Sequence, residues 1–112
     1  YPGTAEALEM ATLNGARALG EIDRLGSIEA GKKADLILVN TKQAHTVPLH
    51  DPASALVWAA SGRDVETSII DGKIVMLNRE VLTMDENPIL NRAEEVKDRV
   101  LSQAGVSAQG TF

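Results

Sequence analysis

The sequence contains no cysteine. Disulfides, thiolate nucleophiles and cysteine-based zinc sites are therefore all excluded, and the absence fits a reducing compartment. Aromatic residues are nearly missing too, at 3% of the chain, so any core must be built from Leu, Ile, Val, Ala and Met. No concentrated basic face is present beyond the pair Lys32-Lys33, and the net charge is −5. Nucleic acid and anionic membranes both require such a face, so neither is expected as a partner. The longest unbroken apolar run is Ala55 to Ala60, six residues, far below the roughly 20 that span a bilayer. No signal peptide is visible. From these absences a soluble, cytoplasmic protein is expected. The chain begins at Tyr1 rather than Met, from which a natural start further upstream is expected.

What is present is ordinary for one modest domain. The chain has 112 residues, 44% of them hydrophobic, and a chain of this size can bury roughly two-thirds of its unfolded surface. Thr4 as N-cap and Glu6 at the positive end of the dipole predict an opening helix. Leu8, Ala11, Gly15, Ala18 and Leu19 recur at helical spacing, and Gly20 suits the left-handed C-cap. The small residues Ala11, Gly15, Ala16 and Ala18 would let another element approach closely. Leu25 to Ile28 reads as a short extended piece, Glu29 to Lys33 as a glycine turn, and Ala34 to Val39 as a strand. Its unbroken apolar stretch, Leu36 to Val39, predicts burial on both faces.

Thr41 to His50 carries no periodicity and reads as a loop. Asp51-Pro52 then combines an N-cap with proline at the first helical position, predicting a short helix over Ala53 to Ala60. The clearest β signal follows: Val65 to Ile70 and Lys73 to Leu77 flank Asp71-Gly72, a pair that favours a type I′ hairpin turn. Asn78-Arg79 turns the chain again into Glu80 to Thr83. Asn87-Pro88 repeats the cap-and-proline start. Leu90, Ala93, Val96 (or Lys97), Val100, Leu101 and Ala104 trace an amphipathic helix ending at Gly105, with Glu95 placed to pair with Arg99. The tail beyond Val106 is expected to fray. Interleaved helices and short antiparallel strands give the fold class α+β, with a small antiparallel sheet.

Each candidate for chemistry has a plain structural alternative. Gly26 to Lys32 has the spacing of a phosphate-binding loop, but Lys33 stands where Ser or Thr should hold magnesium. The turn also leads into a strand rather than a helix, so it is read as a simple turn. His45 and His50 are the only histidines. A zinc site needs three or four converging ligands, there is no His-x-His pair, and Asp51 is better used as a cap. Ser54, Ser61 and Ser68 lack a nucleophile elbow. Glu6, Glu9, Asp64, Glu66, Glu94 and Glu95 are expected on solvated exteriors, and Trp58 in the core. The site reading is therefore no catalytic, no cofactor-binding and no metal-ligating residue in this chain.

Two segments together carry a resemblance. Ala11-Thr12-Leu13-Asn14-Gly15-Ala16-Arg17-Ala18-Leu19-Gly20 is followed by Gly26-Ser27-Ile28-Glu29-Ala30-Gly31-Lys32-Lys33-Ala34-Asp35-Leu36-Ile37-Leu38-Val39. The pair resembles the carboxy-terminal stretch of the amidohydrolase superfamily. Pro48 to Pro52, Ala55 to Ala60 and Asp64 to Thr67 are similar to the branch that holds methylthioadenosine/S-adenosylhomocysteine deaminases and triazine hydrolases. The resemblance runs from about Thr4 to Glu95. Asn40, where the family often has Asp, and Asn78-Arg79, where it often has a glycine-containing turn, depart from the pattern.

The resemblance implies a metal-bearing (β/α)₈ barrel with a composite β-sandwich built from both chain ends. Residues 1–24 would hold the last barrel helix, residues 25–86 a sandwich portion with an inserted short helix, and residues 87–112 a terminal helix and tail. The family's metal ligands would all lie upstream of Tyr1. In the parent enzyme a divalent metal, zinc by preference, would lower the pKa of bound water. The resulting hydroxide would attack an sp² carbon of a purine or triazine ring. This segment would be structural and inactive alone, with the amino-terminal barrel and sandwich strands as its partners, and self-association as the outcome when they are missing. The alternative is a stand-alone structural or oligomerisation module.

Overall fold

The computed structural model describes residues 2–106; the tail expected to fray lies outside them. The chain divides into two compact units, Tyr1–Leu82 and Thr83–Phe112.

The first unit opens with helix α1, Thr4–Ala11, and helix α2, Leu13–Ala18. One continuous helix was predicted here; instead it breaks at Thr12, whose backbone lies at φ −123°, ψ −86°. The Thr12 hydroxyl donates to the Leu8 carbonyl at 2.7 Å, a backbone contact that competes with the helical ladder. The N-cap is Gly3 rather than Thr4, and no side chain caps the first turn. Gly20 does take the left-handed conformation, φ +71°.

Residues 22–27 form successive turns and bends rather than the extended piece expected at Leu25 to Ile28. The reason is Gly26. At φ +91° its α-carbon lies so close to α2 that an added Cβ would sit 2.9 Å from Ala16 Cβ and 3.1 Å from Leu13 Cα. Ala16 is the one hydrophobic residue buried among the described residues. The small residues of α2 thus accept a turn, not a strand.

The sheet has four antiparallel strands in the order β1 (Leu36–Val39), β2 (Val65–Ile70), β3 (Lys73–Leu77), β4 (Glu80–Val81). An α+β fold with a small open sheet is the result, as expected. Asp71 and Gly72 both have positive φ, 50° and 76°, which a type I′ turn demands. Asn78 and Arg79 repeat the device at 48° and 71°. β4 stops at Val81, two residues short of the expected strand.

β1 departs from expectation in its surroundings. Its successive side chains point to opposite faces, and Ile37 and Leu38 are 62% and 52% exposed. Both faces were predicted to be buried; instead Leu36 and Val39 are half-buried and Ile37 and Leu38 exposed.

Between β1 and β2 runs the loop 41–50, then helix α3, Pro52–Ser54, capped by Asp51, whose carboxylate accepts from the Ala53 and Ser54 amides at 3.3 and 3.0 Å. The predicted short helix then widens into a π-helical turn over Ala55–Ala59. Gly62–Asp64 forms a 3₁₀ turn that delivers the chain into β2.

The second unit is helix α4, Glu86–Gln103. Its N-cap is Asp85, whose carboxylate accepts from the Asn87 amide at 3.1 Å, so Pro88 stands within the first turn and Asn87 is not the cap. The outer face pairs Arg92 with Glu95 at 2.7 Å, and Lys97 with Glu94 and Asp98, in place of the expected Glu95–Arg99 pair. None of its residues is buried.

Candidate functional site

A polar constellation forms where the loop 41–50 meets the turn before β2. Ser61-x-x-Asp64 has the spacing of a capping box, and both halves are made. The Ser61 hydroxyl accepts from the Arg63 amide at 3.3 Å, and the Asp64 carboxylate accepts from the Ser61 amide at 2.7 Å. The same carboxylate oxygen accepts from the Ser61 hydroxyl at 3.2 Å and faces His45 Nε2 at 2.9 Å. Asp64 is only 5% exposed, so the expectation that it lies on a solvated exterior is corrected. Its carboxyl is held below the usual carboxylate value, first by the hydrogen bond from His45, then by the Ser61 amide.

Around it the loop is fixed by further bonds. Buried Thr46 donates its hydroxyl to the Thr41 carbonyl at 2.8 Å and accepts from the Gln43 amide at 3.1 Å. The Asn40 amide side chain donates to Glu66 at 2.7 Å, and the Asn40 backbone donates to the Asp64 carbonyl at 2.7 Å. The Arg79 guanidinium donates to the Gly62 and Val65 carbonyls at 3.0 and 2.9 Å. Asn40 and Arg79 of the Asn78-Arg79 turn, both at positions that depart from the family pattern, are thus committed at this corner, Asn40 to a side chain and backbone and Arg79 to backbone carbonyls. Among the described residues no buried side-chain polar atom is left without a partner.

This corner is not a catalytic triad. In Ser–His–Asp catalysis the imidazole lies between the hydroxyl and the carboxylate so that it can take the hydroxyl proton. Here Asp64 lies between Ser61 and His45, and no imidazole faces the serine hydroxyl. Nor does the corner fit a metal. The described residues bring no three His, Asp or Glu side chains together as a cation site, and the Asp64 oxygen that would be the best ligand already receives three donors.

The other singled-out residues are placed as follows. His50 and Trp58 line an open hollow with His45, Val47, Pro48 and Ser54. Trp58 is 68% exposed and donates its indole N–H to the Thr4 hydroxyl at 3.4 Å; it was expected in the core, but it stands on the exposed side of its turn, whereas Val57 is half-buried. Ser54 donates its hydroxyl to Asp51 at 2.5 Å, and these bonds hold the Asp51 carboxyl below its usual value. Ser68 lies in β2, opposite Ile37 and Met76.

The loop with phosphate-binding spacing is stapled shut. Lys32 Nζ donates to the Ser27 hydroxyl at 2.6 Å and the Leu25 carbonyl at 3.5 Å, and pairs with Glu29 at 3.3 Å. A lysine so engaged, mostly buried and already facing an acid, is a structural pin. Sequence reasoning missed the role of Asp64. The signal that could have found it was the capping-box spacing directly before the strongest strand.

Residues 3–75 match the amidohydrolase family. The chain belongs to that family. It is 50% identical over 99 residues to a 5-methylthioadenosine/S-adenosylhomocysteine deaminase of Acetivibrio thermocellus, a match that covers 88% of this chain and 23% of that one. Among solved structures it is similar to a zinc-bound adenosine deaminase from Xanthomonas campestris. There the TM-score is 0.83 at 42% identity, covering 89% of this chain and 23% of the other. It is also similar to the zinc complex of the atrazine chlorohydrolase TrzN from Arthrobacter aurescens TC1, with a TM-score of 0.74 at 27% identity, covering 83% and 20%. This amidohydrolase chain therefore spans under a quarter of the length of the relatives it matches. Among the described residues no helix is long and apolar enough to cross a membrane.

Proposed function

We propose that the chain is the carboxy-terminal part of a zinc-dependent amidohydrolase that hydrolytically removes the amino group from an adenine-type ring. Its own role in that enzyme is structural. The observation that carries the reading is the asymmetry of the matches: 88% of this chain falls on 23% of a deaminase at 50% identity. Residues 1–24 supply the last barrel helix, residues 25–86 a portion of the sandwich, and residues 87–112 a terminal helix and tail. The polar corner at Asp64 and the Gly26 contact hold the first unit in shape but offer no reacting group.

The exposed apolar side chains support a part rather than a free-standing module. Ile37 and Leu38 on the edge strand, Leu56 and Trp58 on the π-helical turn, and Ile74 and Leu77 on β3 are all exposed. A sheet or helix with apolar side chains of this size is ordinarily covered by a second layer. The preceding barrel and sandwich strands are its partners in the intact enzyme, and second copies of itself when those are withheld.

A graft tests the proposal. The matching carboxy-terminal segment of the Acetivibrio deaminase is replaced by this chain, and ammonia release from 5′-methylthioadenosine is assayed for the chimera and for the chain alone. The chimera is expected to retain a rate within about tenfold of the unmodified deaminase, about 1.4 kcal/mol of barrel and sandwich mismatch at most. The chain alone is expected to release no ammonia. A soluble, folded, zinc-loaded chimera without activity, or turnover by the isolated chain, would overturn the reading.

A further inference from the structure

We draw no further inference here: the strongest candidate, the open hollow between the loop 41–50 and the π-helical turn Ala55–Ala59, with Trp58 exposed at its edge, is an apolar face and nothing in the structure shows what covers it.

Discussion

The corner around Asp64 and the edge strand β1 lie next to each other in the sheet, yet they meet opposite fates. At the corner the buried side-chain polar groups find partners within about 25 residues of chain, through Ser61, His45, Thr46, Asn40 and Arg79. In β1 the apolar side chains of Ile37 and Leu38 stand largely in solvent. Three of the four side chains buried among the described residues are polar, Thr46, Asp64 and Thr67. Hydrogen bonds are directional and short-ranged, so a loop can satisfy them locally, whereas apolar burial requires a second layer. What this chain can complete by itself, it completes. What it leaves open is the part that needs another layer.

The sharpest way to break the comparison is at Gly26, where the chain closes tightly on Ala16 and Leu13 unaided. Gly26→Val should cost about 2–4 kcal/mol, because a side chain there clashes with Ala16 and strains a backbone at φ +91°. Urea unfolding followed by circular dichroism of the chimera measures it; a loss under 1 kcal/mol would mean the contact is loose. Asp64→Asn should lower the urea midpoint by less than Gly26→Val, through loss of the anionic acceptor for His45 and Ser61.

The acid dependence of that second effect is fixed by sign. Asp64 has its carboxyl depressed below 3.8 in the native state. It therefore binds fewer protons folded than unfolded, and its contribution is present above about pH 4 and lost as pH falls through the native value. The wild-type chimera should lose stability over that acid range more steeply than Asp64→Asn. Equal slopes would mean the carboxylate is not held as described.

Gly72→Ala should cost about 1 kcal/mol, since φ +76° in the hairpin turn is strained for any residue with a Cβ. Arg92→Ala on α4, which removes an exposed pair with Glu95, should change stability by no more than a few tenths of a kcal/mol. On the open side of the comparison, light scattering of the isolated chain should report species above monomer mass, and Ile37→Lys should shift them toward monomer. A monodisperse monomer for the unmodified chain would show that the exposed side chains of β1 need no cover.

Legibility in the sequence followed the same divide. Asp71-Gly72 announced its hairpin and Asp51-Pro52 its helix start, because turn and cap chemistry is set by the residues themselves. Thr12 did not announce its break, since a threonine inside a helical pattern is common and its hydroxyl contact with the Leu8 carbonyl depends on backbone geometry. At α4 the pattern Asn87-Pro88 was a plausible start, but Asp85 two residues earlier offered the stronger acceptor and took the cap. Trp58 was misread because an apolar run says that a residue wants cover, not that cover is at hand. For the site, the expectation of no ligand set rests on two histidines and no His-x-His pair. The buried place of Asp64 could not, since it depends on a loop that arrives from 19 residues away.

The two tight reversals at Asp71-Gly72 and Asn78-Arg79 have a kinetic consequence. They join β2, β3 and β4 through contacts between near neighbours in sequence, so closing each hairpin sacrifices little chain entropy. Such a meander forms on the scale of about 1–10 μs per hairpin, well before β1 can be brought back across the 25 residues that separate it from β2. The meander is thus the natural seed on which the rest of this unit assembles, and its amides should gain protection first in pulse-labelled refolding.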